Sequence, residues 1–235
     1  MTGTIINTCA IMAGSLIGAA LNRGIHPKYK NALYDGIGLV SIAIGLNAAV
    51  TNLPKSGCPV LFILSIALGA VAGTWLDIDG RMRRIVAKKS GNKARGEGNN
   101  LADGLATASL LFCIGPLSML GPVISALKGD NTFLFTNATL DLVSSVIFAS
   151  TYGIGIILAA PVLFCWQGAF WLVAKVSSRA VGDELMAELL IVGGLLITSS
   201  GLALLKVKDC KTLNLLPALL VPVAFHLLKG LVDML

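Results

Sequence analysis

Apolar runs of roughly membrane length recur along the chain, divided by short polar stretches: Thr4–Leu21, Gly36–Asn52, Pro59–Leu76, Leu105–Leu127, Thr132–Ser150, Tyr152–Ala174, Leu185–Leu205 and Leu213–Val232. A helix crosses the hydrocarbon with about 20 predominantly apolar residues. The runs therefore predict about eight transmembrane segments and an all-α polytopic membrane protein. The first three and the last three read as full spans. The middle two differ, because they carry Gly115-Pro116, Gly121-Pro122, Asn137 and Asp141. Proline removes a backbone donor and clashes with the preceding turn, and hydrocarbon disfavours an unpaired carboxylate. This central pair is predicted to be broken or re-entrant.

Composition supports lipid as the solvent. Of 235 residues, 55% are hydrophobic and 13% charged, against about 25% charged in a soluble domain. Mean hydropathy is +0.83. The first apolar run has no basic residue before it, which predicts a retained span rather than a cleaved signal. The net charge of +6 resides in one stretch, residues 80–100, which holds seven basic residues and one acid. Basic loops stay on the cytoplasmic side, so loop 80–100 is placed there and both termini face out. The Lys175/Arg179 loop runs against the rule. Clustered Lys and Arg at Arg81–Arg95 also suit anionic lipid headgroups. The loop has no aromatic side chain to stack on bases, so no nucleic acid is expected.

An internal match suggests an organisation. GLVSIAIGLNAA (Gly38–Ala49) aligns with GLLITSSGLALL (Gly194–Leu205), keeping Gly38/Gly194, Leu39/Leu195, Gly45/Gly201 and Leu46/Leu202 in step. PVLFILS from Pro59 and PALLVPV from Pro217 follow in the same order. With two spans between them, two three-helix units enter from opposite faces. The expected division is a first repeat over 1–78, a basic cytoplasmic loop over 79–104, a central broken-helix pair over 105–151 and a second, inverted repeat over 152–235. Inverted repeats flanking interrupted helices are a recurring transporter plan, with the site near the midplane. The alternative is that Gly/Leu-rich helices match by chance.

Candidate chemistry follows that plan. Asp141 has Asn137 one turn before it and Ser144 and Ser145 one turn after, spacings that share a helix face. A carboxylate there takes a cation or a proton, or caps a displaced span at the interface. Gly115, Pro116 and Ser118 mark the interruption, where unwound backbone offers carbonyls to a cation or amides to an anion. Glu188 opens the seventh span and either reaches a central cavity or serves the helix dipole. Asn7 and Asn47 read as hydrogen-bond glue between helices. Gly14/Gly18 and Gly69/Gly73 are small-xxx-small pairs for close packing within the monomer, or for a homo-oligomer. The cysteines Cys9, Cys58, Cys113, Cys165 and Cys210 are scattered, which points away from a disulfide framework or zinc site. No enzyme signature, metal site or cofactor motif is present.

INTCAIMAGSLIG, GPLSMLGPVISALKGD with TLDLVSSVIFASTYGIG, and AELLIVGGLLITSSGLALL with NLLPALLVP occur in that order. Together they resemble the bacterial YqgA/YdfK-like membrane proteins, domain-of-unknown-function family 554, over nearly the whole chain. Gly115, Pro116, Gly129, Asp130, Asp141, Glu188 and Pro217 fall on the family's pattern. Thr136-Asn137 departs from an expected lysine-serine pair, so no lysine on the same helix neutralises Asp141. The resemblance implies a multi-pass protein of the bacterial inner (plasma) membrane and a transport role, without a substrate. Three functions remain open at this stage: a transporter of a small solute or ion, cation- or proton-coupled; a passive channel or pore; and a structural or regulatory membrane protein.

Overall fold

A computed structural model describes residues 1–21, 27–81, 84, 105, 108–109, 112–113, 115–179 and 182–232. Among them no strand occurs. The helices are α1 (Thr2–Leu21), α2 (Pro27–Asn52), α3 (Leu61–Leu76), α4 (Pro116–Lys128), α5 (Thr132–Tyr152), α6 (Ala159–Val176), α7 (Asp183–Leu204), α8 (Thr212–Leu215) and α9 (Leu220–Val232). Short 3-10 turns lie at Leu53–Lys55, Ile154–Leu158, Ser177–Arg179 and Leu216–Leu219. Seven stretches among the described residues are long and apolar enough to cross a membrane. Most of the basic loop, from residue 85 to 100, lies outside the described residues, as does much of Leu105–Ile114.

The chain forms two compact units, each drawn from two separate stretches of the sequence. The first is Met1–Tyr34 with Met82–Ser178; the second is Asp35–Arg81 with Arg179–Leu235. This grouping by contact runs across the segments drawn by sequence order.

In the first unit α1 lies along α5. A Cβ on Gly3 would meet Leu134, one on Gly14 would meet Leu142 and Ser145, and one on Gly18 would meet Val146 and Ala149. Both residue numbers rise together, so the two helices are parallel. Small residues permit this approach where lipid supplies no hydrophobic drive between helices. Asn131 pins the ends: its Oδ1 accepts from the Gly3 amide at 3.3 Å and from Ser125 Oγ at 2.8 Å. The core behind them joins Ile11, Phe112, Cys113, Ala149, Ile156 and Leu163.

In the second unit α2 crosses α7 in the opposite sense. Gly45 abuts the Gly194 carbonyl and Gly194 the Gly45 carbonyl, while Gly38 and Gly201 face each other in the same way. The inverted repeat is not confirmed. The glycines that suggested it lie in one unit and pack on one another, so their common spacing has a direct steric use. Gly69 and Gly73 of α3 likewise meet Ala218 and Asn214. Both small-residue pairs named from sequence therefore serve packing within the monomer. Val192, Leu196 and Ala218 form a core here, with Phe62 and Ile66 against it.

α5 is a single continuous helix. The break belongs to the preceding segment alone: Gly115 is extended (φ −67°, ψ 146°) and Pro116 starts α4. Proline at a first helical position loses only a donor that has no intrahelical partner anyway. Gly121-Pro122, expected to be a second break, sits inside α4 without ending it; Gly121 instead makes room for Leu134 of α5. At 13 residues, α4 is about 20 Å long, too short to cross by itself.

Candidate functional site

The first unit gathers its polar groups on the α1–α5 contact. Asp141 is 6% exposed and Asn137 5%, each pointing inward because α5 turns this face to α1. Asn137 Nδ2 donates to Asp141 Oδ2 at 2.9 Å along the helix, and Asn7 Nδ2 of α1 donates to the same oxygen at 2.9 Å. Two carboxamides on one carboxylate oxygen replace part of its lost hydration. Cys113, just before the break at Gly115, is buried in the core that Ile11 of α1 and Ala149 of α5 also enter.

Around them some acceptors are left over. Asn7 Oδ1 and Thr4 Oγ1, both fully buried, have no hydrogen-bond partner among the described residues. They lie three residues apart, on one face of α1. Buried polar groups are normally paired, so an acidic centre flanked by open oxygens is unusual for a purely structural contact. The arrangement suits a small positive species.

The other predicted residues fall in different places. Ser145 is buried, but its hydroxyl donates back to the Leu142 carbonyl at 2.8 Å and packs on Gly14. Ser144 is half-buried. Ser118, in the first turn of α4, accepts from Gln167 Nε2 of α6 at 3.1 Å. Gln167 is fully buried and its Oε1 is unpartnered among the described residues. Gly115 and Pro116 form the break itself. Glu188 belongs to the second unit, where Ser56 donates to its Oε1.

Asn7, read as hydrogen-bond glue between helices, does bond from α1 to α5, and Cys113, read as a small core residue, is buried in the core; Ser56, in a linker, was passed over. For Asn7 a signal existed, a carboxamide inside an apolar run, but nothing local tied it to residue 141. Among the described residues, no group of three or more His, Cys, Asp or Glu side chains is placed to hold a metal ion.

Comparison with known proteins is consistent along the full chain. The family described as "Protein of unknown function (DUF554)" matches residues 2–227. The sequence is 49% identical over 222 residues to "Uncharacterized membrane protein YdfK" of Bacillus subtilis (strain 168), covering 94% of each chain. It is 26% identical over 225 residues to "Uncharacterized protein YqgA" of Escherichia coli (strain K12), covering 93% of each. No solved structure gives a significant match.

Proposed function

The chain belongs to the DUF554 family, and from that premise we propose that this all-helical membrane protein carries a small solute or ion, coupled to a cation or proton. The observation behind the proposal is Asp141, a carboxylate buried in a membrane-spanning helix and held by carboxamides from two helices. Intramembrane acids are expensive and commonly mark ion paths. In this reading Asp141 takes the positive charge, Asn7 and Asn137 hold it in place, and Thr4 Oγ1 and Asn7 Oδ1 offer further oxygens.

The break at Gly115 supplies the moving part. Backbone that leaves a helix exchanges partners at lower cost than an intact helix does. Gln167 and Ser118 would steady the start of α4 during that exchange. The setting is the bacterial inner membrane with loop 80–100 in the cytoplasm, where its basic residues meet anionic headgroups. The reading involves no bond-making chemistry, metal or cofactor.

The test uses the purified chain in liposomes loaded with a pH-sensitive dye, under an imposed membrane potential, with proton and 22Na⁺ uptake followed in parallel. The wild type is expected to pass at least one of these ions, and Asp141→Asn to lose nearly all of that flux. Equal flux in the two proteins, or no flux of either ion above empty liposomes, would overturn it. Unitary currents in a planar bilayer would replace a carrier by a pore.

A further inference from the structure

The second unit holds a buried acid that packing does not explain. Glu188 lies in the second turn of α7 and is 1% exposed. Its Oε1 is satisfied by the Ser56 hydroxyl, and Ser56 Oγ is itself fixed by the Cys58 amide at 3.2 Å. Its Oε2 is equally buried and has no partner among the described residues. An acceptor left dry in this way is costly, and more so when charged.

Basic groups come to this end of α7 without serving Glu188. Lys229 Nζ of α9 stands 3.4 Å from Glu184 Oε2, and His226 Nε2 stands 3.9 Å from the same oxygen. Glu184 is the exposed carboxylate one turn earlier. The Ser56–Gly57 linker lies beside both acids, since a Cβ on Gly57 would sit 3.3 Å from the Glu184 carboxylate. Among the described residues, the cations at this end thus stop at the outer acid and leave the inner one open.

We propose that Glu188 and Ser56 form a binding site for a small monovalent cation, an alkali ion or a primary ammonium group. One carboxylate neutralises one positive charge, and its open oxygen is the ligand. The Ser56 hydroxyl aims the carboxylate, and the non-helical linker from Ser56 to Val60 forms the wall on that side. The Glu184–Lys229 pair marks the way in: exposed ion pairs are worth little, so it parts at small cost. None of this rests on Asp141.

The experiment uses the full chain in detergent at one fixed pH, labelled with a hydrophobic carbodiimide, with modification of Glu188 read by peptide mass spectrometry. The reference buffer contains only N-methylglucamine, a cation too large to enter. NaCl, KCl or methylammonium chloride then replaces it at constant ionic strength. Labelling is expected to fall roughly tenfold once the cation exceeds its Kd about tenfold. Ser56→Ala should move the protection curve to higher concentration. Protection by sodium or potassium assigns an ion site, and protection by methylammonium alone assigns the amine of a solute. In parallel, the same cation should raise the melting temperature of the wild type but not of Glu188→Gln. Flat labelling and flat melting with all three cations would overturn the proposal, whatever the outcome at Asp141.

Discussion

The two units solve one problem in different ways. Each buries a carboxylate, Asp141 or Glu188, on a helix that a second helix approaches through glycines. In the first, the partner of Asp141 is another helix: Asn7 rides on α1, and the parallel packing through Gly14 and Gly18 fixes it against α5. In the second, α2 and α7 meet glycine to glycine, yet the donor to Glu188 comes from the linker that follows α2. A donor on a packed helix is held by many contacts, whereas one on a linker is held by its own local bonds. The first acid is therefore rigidly framed, and the second is framed by a segment that moves more cheaply.

The largest expected effect removes the framing itself. Gly14→Leu drives a side chain into the Leu142 carbonyl and Ser145, where neither backbone can retreat without separating α1 from α5. Overpacking of this kind costs about 3 kcal/mol or more, so little monodisperse protein should be recovered from detergent. Gly45→Leu should be as damaging, because its neighbours are the Gly194 carbonyl and Thr198. If Gly14→Leu melted within a few degrees of the wild type, α1 would not be what holds Asn7 in place.

A smaller effect sharpens the difference between the acids. A double-mutant cycle of Asn7→Leu with Asp141→Asn should give a coupling of about 1 kcal/mol, the scale of polar contacts between membrane helices. The corresponding cycle of Ser56→Ala with Glu188→Gln should give about half as much or less, because the linker relaxes when its bond is lost. Thermal unfolding in one detergent supplies both. Equal couplings would erase the distinction between a helix-borne and a linker-borne donor.

These contrasts explain what the sequence could and could not disclose. Span length and apolar content are local properties, so the helices and their membrane character were legible, as was Asp141 as an acid out of place. Gly115-Pro116 was also legible as a helix boundary, since that rule concerns adjacent residues. The identical signal at Gly121-Pro122 was misleading: whether a glycine unwinds a helix or admits a neighbour depends on Leu134, which lies beyond any local window. The match between Gly38–Ala49 and Gly194–Leu205 leaves the inverted repeat unconfirmed for a related reason. Two helices packing glycine to glycine need similar spacing whether or not they are copies. Asn7 and Ser56 reach their acids from 134 and 132 residues away, and one chain offers no means of pairing such positions.

The smallest effect tests the glycine argument where it changes sign within two residues. Gly36 and Gly38 both lie in α2, and both pay the conformational cost of glycine in a helix. A Cβ on Gly36 meets nothing within 4 Å, whereas one on Gly38 falls 2.9 Å from Leu205 Cγ and 3.1 Å from the Gly201 carbonyl. Gly36→Ala should therefore stabilise by roughly 0.5 kcal/mol, through helix propensity and a less flexible unfolded chain. Gly38→Ala carries the same propensity gain but must push back a carbonyl held within α7. Its net effect should be a loss of about 1 kcal/mol. Melting curves for the pair, recorded side by side, decide the matter. If both substitutions stabilise, α2 and α7 are not in glycine contact at that end, and the steric reading of the matched sequences fails there.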